Sequence, residues 1–196
     1  MKRIIAAAFL LIGMPDALRA LDLTPHEMAQ SGDGPPMKRY FFQDEGKRLS
    51  FRIDSKMAIS GGGGSVGFRF VDLKGAAMKM SRSQMNPALK FDEKNLVAYR
   101  SLARTLLASD ATNVQPGEEK PDAISINGWT SHQFTFTYDR SGVRFCRSIT
   151  ILNYNETEQF IIDVTSEAPD YEKAYARGYR VLNSLSSLPV DPAGPT

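Results

Sequence analysis

Apolar and polar residues alternate along most of the chain from Arg39 onward, which is the pattern of half-buried β-strands. The alternating segments are residues 39–43, 47–53, 66–70, 129–138, 143–152 and 158–165. The last three are long and are joined by tight turns, so they need no crossover helix between them. The pattern therefore predicts an antiparallel meander. Asn127-Gly128, which follows Ile124 and Ile126, favours a two-residue hairpin at its start.

Two segments change to helical spacing. The first runs from about Asp92 to Ser109, with Asp92 as its predicted N-cap. The second starts near Pro169, carries one apolar stripe and ends at Pro189. Gly178 lies inside that stripe, where glycine costs about 1 kcal/mol relative to alanine. We expect the compensation to be a close approach of this helix to the sheet.

The remaining segments are polar or rich in glycine and proline. Residues 21–37 are predicted to be a flexible leader, residues 110–122 a surface loop, and residues 190–196 a disordered tail. The run Gly61–Gly64 is followed by a strand and not by a helix, which favours a flexible hairpin connection over a phosphate-binding loop. Residues 38–189 are then a single α+β domain.

The first 20 residues have the order of an export signal. Lys2 and Arg3 precede an apolar run from Ile4 to Met14, and small residues follow a proline, so cleavage is expected after Ala20 or Ala17. The run is shorter than the roughly 20 residues that span a bilayer. We therefore expect an exported protein, in the periplasm or outside the cell and of bacterial origin. A retained signal that tethers the domain to the membrane is the alternative.

The charge of the chain changes when this signal is removed. The full chain has 24 Lys and Arg against 22 Asp and Glu, and residues 1–20 contain three of the basic and one of the acidic side chains. The remaining chain is formally neutral. A nucleic-acid-binding domain needs a net basic surface, so this balance argues against nucleic acid as a partner.

The residue types that carry chemistry are few. Cys146 is the only cysteine, which excludes an intramolecular disulfide, and its apolar strand predicts a small core residue. The two histidines, His26 and His132, are far apart in the sequence, which argues against a metal site and against a thiol–histidine pair. Asp163 and Glu167 could act as acid and base, but they are better interpreted as a solvated edge and a helix-start charge. We predict no catalytic, cofactor-binding or metal-binding residue, and no cofactor.

Three surface features have either a functional or an ordinary structural interpretation. The basic residues Lys173, Arg177 and Arg180 are interpreted as a solvated helix face. Asn155 begins an N-glycosylation motif, which matters only in a eukaryotic secretory host. The aromatic residues could include an exposed binding patch, which the sequence does not separate from core; they are Phe41, Phe42, Trp129, Tyr154 and Tyr179.

The region from Asn127 to Leu188 has a hairpin Asn-Gly-Trp, paired strands, and a final stretch FIIDVTSEAPDYEKAYARGYRVLNSL that closes on a helix. In this order of elements the chain resembles the PsbP-like group of exported proteins. The resemblance implies an α-β-α sandwich, with a central antiparallel sheet and helices packed on its faces. It also implies a domain that binds or assembles with partners. The resemblance rests on hydrophobic pattern, so it transfers no functional residue.

These observations favour a non-catalytic exported domain that acts in the envelope or periplasm by protein–protein binding or assembly. Its expected partner is another envelope protein. The alternative is a small-ligand binder or an enzyme with a pocket between the sheet and a helix. A deep pocket that contains His132, or a carboxylate with a strongly shifted pKa, would favour that alternative.

Overall fold

A computed structural model describes residues 21–28, 37–44, 47–83, 85, 88–126 and 128–189. The expected export signal and tail lie outside these residues, as does Asn127 of the predicted hairpin. None of the helices described is long and apolar enough to cross a membrane.

The described residues form strands in two antiparallel sheets, two α-helices and one short 3-10 helix at Ala168–Asp170. In chain order the elements are β1 (Asp22–Glu27), β2 (Met37–Asp44), β3 (Lys47–Asp54), β4 (Met57–Gly62), β5 (Ser65–Phe70), β6 (Ala77–Arg82), α1 (Glu93–Thr105), β7 (Thr112–Pro121), β8 (Thr130–Arg140), β9 (Val143–Asn153), β10 (Gln159–Glu167), α2 (Tyr171–Asn183) and β11 (Ser186–Pro189).

One sheet has seven strands in the order β4-β5-β6-β10-β9-β8-β7, and the other has four in the order β1-β2-β3-β11. The α+β class and the antiparallel pairing are therefore confirmed. The expected α-β-α sandwich around one central sheet is not confirmed, because the molecule has two sheets and is dominated by strands.

Helix α1 packs on one face of the seven-stranded sheet. Its residues Tyr99 and Ala103 are buried against Phe134, Ile149 and Ile161. The predicted N-cap is confirmed, since the Asp92 carboxylate accepts a hydrogen bond of 2.9 Å from the backbone N–H of Asn95.

The residues that alternate with Ile161 on β10 belong to a second core, which contains α2. Phe160 and Ile162 pack there with Val181 and Leu182 of the helix. The inward side chains of the four-stranded sheet join the same core; they are Tyr40, Phe42, Leu49, Phe51 and Ile53. The opposite side chains of that sheet therefore form its outer face.

Gly178 brings α2 close to the seven-stranded sheet, as the sequence predicted. A Cβ atom added at this position would lie 3.1 Å from the Met78 sulfur and 3.5 Å from Cγ2 of Val164. A larger side chain would require the Met78 side chain or the helix to shift.

The predicted flexible leader is wrong for its first residues. Residues 22–27 form β1, and Leu21 and Leu23 are completely buried. The strand also contacts the glycine-rich turn, because the Leu23 N–H donates to the carbonyl of Gly63 at 2.9 Å. That turn is correspondingly tight: β4 and β5 stay paired as far as Gly62 and Ser65, so the expected hairpin is confirmed but it is not a loose connection.

Two further segments were wrongly predicted. Residues 112–121, within the predicted surface loop at 110–122, form the edge strand β7. All ten residues of β7 are exposed, so its sequence lacks the apolar–polar alternation that marks a half-buried strand. β7 pairs with β8 as far as Pro121 and His132, and residues 122–129 connect the two strands. Within this connection the Trp129 N–H donates to the Ile126 carbonyl at 2.9 Å, the hydrogen bond that closes a two-residue turn. Helix α2 ends at Asn183, and the residues after it form β11, which pairs with β3.

Candidate functional site

His132 has a structural environment under α1. It is 6 % exposed, and its ring packs 4.9 Å from that of Phe134 and 5.9 Å from that of Phe91. Its Nε2 lies 3.5 Å from Glu119, whose carboxylate accepts two hydrogen bonds from Arg100 at 2.8 and 2.9 Å. Arg100 also holds the pKa of the Glu119 carboxyl below its usual value. This group ties α1 to β7 and β8, and His132 lines neither of the two cavities described below.

The two carboxylates considered as an acid–base pair are each held by a separate cation. Arg147 donates two hydrogen bonds to Asp163 in a half-buried ion pair. Glu167 lies 3.3 Å from the Lys74 ammonium. The two carboxylates therefore belong to separate ion pairs.

Cys146 lies in β9 and is half-buried, less completely than the predicted core position. Burial raises the pKa of its thiol, so the nucleophilic thiolate is disfavoured near neutral pH. Within the described ranges, no three His, Cys, Asp or Glu side chains are grouped so that they could hold a metal ion.

Arg177 is the clearest departure from the sequence-based interpretation, because this residue of the supposed solvated face is only 9 % exposed. Its guanidinium donates to both oxygens of Asp54 at 3.1 and 2.7 Å and to Asp72 at 2.5 Å, and it lies 5.1 Å above the ring of Phe70. Asp54 ends β3 and Asp72 follows β5. The side chain therefore joins α2 to both sheets.

The spacing of α2 contains the signal for this burial. Arg177 follows the buried Ala174 by three residues and precedes the buried Val181 by four, so it lies on the apolar stripe. Lys173 and Arg180 lie off the stripe and are exposed, as predicted.

A cavity of about 430 Å³ adjoins Arg177 between α2 and the segment after β5. Its lining is Asp72, Leu73, Glu172, Lys173, Ala176, Arg177 and Arg180. Arg177 and Asp72 neutralise each other there, and Lys173 lies 3.5 Å from Asp170. The charged groups of this cavity are thus largely engaged with the protein itself.

A second cavity, of about 320 Å³, lies on the outer face of the four-stranded sheet, and we name it the arginine cleft. It is lined by Arg39, Ser50, Phe51, Arg52, Ser184, Ser186 and Leu188. Three strands and the end of α2 build it, because β2 supplies Arg39, β3 supplies Arg52, and the chain leaving α2 supplies the last two serines. Ser184 fixes the junction, since its hydroxyl accepts from the Arg52 backbone N–H at 2.9 Å and donates to the Val181 carbonyl at 2.7 Å.

Arg39 and Arg52 are direct cross-strand partners in the β2–β3 register, and both are exposed. Like charges directly opposite each other destabilise a sheet. Among the residues that the structure describes, neither guanidinium has an acidic partner. The cleft is therefore a site of positive charge that the described chain leaves unneutralised.

The cationic surface continues from the cleft across β2 and β3. The Arg48 guanidinium lies 4.8 Å above the Phe41 ring, and His26 stacks on the same ring at 5.1 Å. The Nε of Arg48 is buried without a hydrogen-bond partner. Aromatic and cationic side chains thus share one exposed sheet face.

The five aromatic residues considered as a binding patch do not lie together. Phe42 is in the core, Tyr179 accepts a hydrogen bond of 3.1 Å from Gln133 under α2, and Trp129 packs on Tyr154 at 5.1 Å. Phe41 lies on the outer face, beside the arginine cleft.

No protein-family model matches the chain. No curated protein matches it in sequence. The solution structure of cyanobacterial PsbP (CyanoP) from Synechocystis sp. PCC 6803 is similar with a TM-score of 0.52 at 14 % identity, covering 82 % of this chain and 98 % of that one. The fold is PsbP-like. This confirms the predicted resemblance, and at such an identity the PsbP likeness concerns the fold alone.

Two other solved structures are more distantly similar. LpqN, involved in cell envelope biogenesis of Mycobacterium tuberculosis, has a TM-score of 0.47 at 7 % identity, covering 78 % of this chain and 92 % of that one. A protein from Bacteroides thetaiotaomicron has a TM-score of 0.44 at 15 % identity, covering 71 % of this chain and 45 % of that one.

Proposed function

We propose that this PsbP-like protein is exported and acts in the cell envelope as a non-catalytic domain that binds another protein. Export is supported by the charge, apolar run and small residues of positions 1–20. A non-catalytic role is supported by the side chains that could have carried chemistry, because His132 and Asp163 are engaged in packing and ion pairing.

The arginine cleft is the observation that carries the binding role. Arg39 and Arg52 face each other without a described acidic partner, although that arrangement costs stability in the free protein. A bound anionic group would remove this repulsion and add charge-assisted hydrogen bonds. Sites kept at a cost to stability are characteristic of function and not of folding.

Site-specific photocrosslinking in the envelope fraction of the expressing organism tests this role. A photoreactive residue at Leu188, which lines the cleft and is 38 % exposed, should capture one reproducible protein. The matched control is Val97 on α1, which is 65 % exposed and lies on the other side of the seven-stranded sheet. Equal capture from both positions, or none from Leu188, would contradict the proposal.

Cleavage of the expected export signal can be measured directly. N-terminal sequencing of the protein from the envelope fraction should give a first residue of Leu21 or Leu18, the positions that follow Ala20 and Ala17. A first residue at Met1 in the membrane fraction would instead support the tethered alternative.

A small-ligand binder is the second candidate, favoured by the cavity of about 430 Å³ beside α2. This volume is within the range of small-molecule sites, about 300–1,000 Å³. A small molecule that raises the melting temperature of the native protein, but not of a variant with Ala176→Trp in the cavity wall, would support this candidate.

A further inference from the structure

Three acidic side chains that the structure describes in the four-stranded sheet are engaged away from the arginine cleft. Asp22 accepts hydrogen bonds from the backbone and hydroxyl of Thr24, and Glu27 lies 3.7 Å from the Lys38 ammonium. Asp54 is held by Arg177. Of the carboxylates that the structure describes in this sheet, none is available to Arg39 or Arg52.

The cations of the outer face are spaced along the strands. Arg48 and Arg52 are four residues apart on β3, so they point to the same face at a separation of about 13 Å along the strand. Arg39 of β2 lies opposite Arg52, so the positive charge at that end spans both strands. A single small anion could satisfy the Arg39–Arg52 end, but it could not also reach Arg48.

An extended peptide has the same repeat as the strands beneath it. Acidic side chains at alternate positions of such a peptide would recur about every 6.6 Å on one side, so every second one would match the separation of about 13 Å between Arg48 and Arg52. The hydroxyls of Ser50 and Ser186, which are 2.8 Å apart, supply neutral hydrogen-bonding groups between the charges.

We propose that the arginine cleft binds an extended, acidic segment of a partner protein, with Arg39 and Arg52 clamping one carboxylate and Arg48 meeting another further along. This inference rests on the proposed protein-binding function and adds the chemistry of the partner. Since the chain without residues 1–20 is formally neutral, the attraction is local to this face and not a property of the whole molecule.

The test uses the purified chain without residues 1–20 and a fluorescein-labelled peptide of alternating Glu and Thr as the probe. Fluorescence anisotropy should show saturable binding at an ionic strength of about 0.01 M, and weaker binding at about 0.15 M, where exposed charges are screened. The double variant Arg39→Gln/Arg52→Gln should weaken binding about tenfold or more, because both charge-assisted contacts are lost. Arg39→Lys/Arg52→Lys should restore part of it, since the charge returns without the planar fork.

The matched control removes the same charge elsewhere. Arg69→Gln/Lys79→Gln changes two exposed cations on β5 and β6 of the other sheet and should alter the affinity by less than about twofold. An equal loss in both double variants would overturn the proposal, because it would indicate attraction by net charge alone. Circular dichroism and urea unfolding of every variant establish that the cleft variants are folded.

Competition separates the classes of anion. A peptide with Gln in place of Glu should not displace the probe, and inorganic phosphate should displace it only at concentrations far above those of the unlabelled acidic peptide. Tighter binding to phosphatidylglycerol vesicles or to phosphate than to the peptide would overturn the inference. If Leu188 still captures a partner while the acidic peptide fails to bind, the proposed function stands and the partner's chemistry is wrong. If both fail, the proposed function fails as well.

Discussion

Two regions of this molecule are built around arginine, and they treat its charge in opposite ways. Arg177 is buried between α2 and both sheets, where Asp54 and Asp72 accept three hydrogen bonds from it. Arg39 and Arg52 stand opposite each other on an exposed sheet face with no described acidic partner. The two regions therefore differ both in the burial of the guanidinium and in its neutralisation by carboxylates.

This difference is the basis for assigning a structural role to Arg177 and for proposing a binding role for Arg39 and Arg52. A buried guanidinium must be paired, because an uncompensated charge in the interior is strongly destabilising. An exposed guanidinium can remain unpaired in water at small cost, and it is then available to an anion from outside. Changes to the Arg177 region should therefore alter stability, whereas changes to the arginine cleft should alter binding.

The largest expected effect is that of Arg177→Met. Methionine keeps much of the packing but leaves Asp54 and Asp72 without their shared cation, so the free energy of unfolding should fall by about 2–3 kcal/mol. Urea unfolding measures this loss, and the melting temperature should drop by roughly 5–10 °C. Arg180→Met, on the exposed side of the same helix, should change stability by less than about 0.5 kcal/mol. Equal losses of stability in the two variants would contradict the structural role assigned to Arg177.

Gly178→Val tests the close packing of α2 on the seven-stranded sheet, because it adds volume next to Arg177 without changing the charge. The added atoms would meet the Met78 sulfur and Val164, so the free energy of unfolding should fall by about 1–2 kcal/mol. Peptide binding at the arginine cleft should be unchanged in the folded variant. An unchanged midpoint of urea unfolding would mean that α2 can shift without cost, contrary to the packing described.

Arg39→Glu should raise the stability of the protein, whereas the two preceding variants should lower it. It replaces a like-charge cross-strand pair with an opposite-charge pair, so the free energy of unfolding should rise by about 0.2–1 kcal/mol. The same variant should lose affinity for the acidic peptide. Thermal unfolding and anisotropy on one sample measure both effects, and a variant that is less stable than the native chain would contradict the assigned repulsion.

The smallest expected effect is the change in the free energy of unfolding on acidification, which should depend on the Arg177 region and not on the arginine cleft. Hydrogen bonds from Arg177 lower the pKa of Asp72 in the folded protein below its usual value of 3.8. The stability from this carboxylate is therefore present above that value and is lost as the pH falls through the lower, folded pKa. Asp72→Asn should flatten this part of the pH dependence in urea unfolding, whereas Arg39→Gln/Arg52→Gln should leave it intact. The effect is small because Asp72 is exposed and screened by solvent.

The elements with strong local signals could be predicted from the sequence. Asp92 was identified as an N-cap by its position before a helical stripe, and Gly178 as a close contact by its position inside one. The strands β8 and β9 alternate clearly because apolar residues under α1, such as Phe134 and Ile149, alternate with polar residues on the opposite face, such as Gln133 and Ser148. A periodic pattern of apolar residues arises where a defined face of a helix or strand is buried.

The elements that were missed lack such a period. β7 is exposed at every residue, and β1 is a short edge strand in which Pro25 ends the brief alternation of Leu21 and Leu23. β11 follows α2 so closely that its residues were assigned to the helix. The division into two sheets depends on these strands, and it could not be read from the central meander.

The site was missed for a different reason, because charge gives no indication of burial by itself. Arg177 was grouped with Lys173 and Arg180, although its spacing from Ala174 and Val181 places it on the apolar stripe. Arg39 and Arg52 become partners only through the β2–β3 register. That register follows from the Asp44–Lys47 pair, which sets every opposing position in the hairpin.

The four-stranded sheet contains strands from early and late parts of the chain, since β11 pairs with β3 and the hydroxyls of Ser50 and Ser186 are hydrogen-bonded although these residues are 136 positions apart in the sequence. Such a pairing closes late in folding, because a long loop must be ordered before the contact forms. The arginine cleft needs Arg39 from the first part of the chain and Ser186 from the last. A chain that lacks the residues after Asn183 would therefore keep both arginines but would not form the complete cleft.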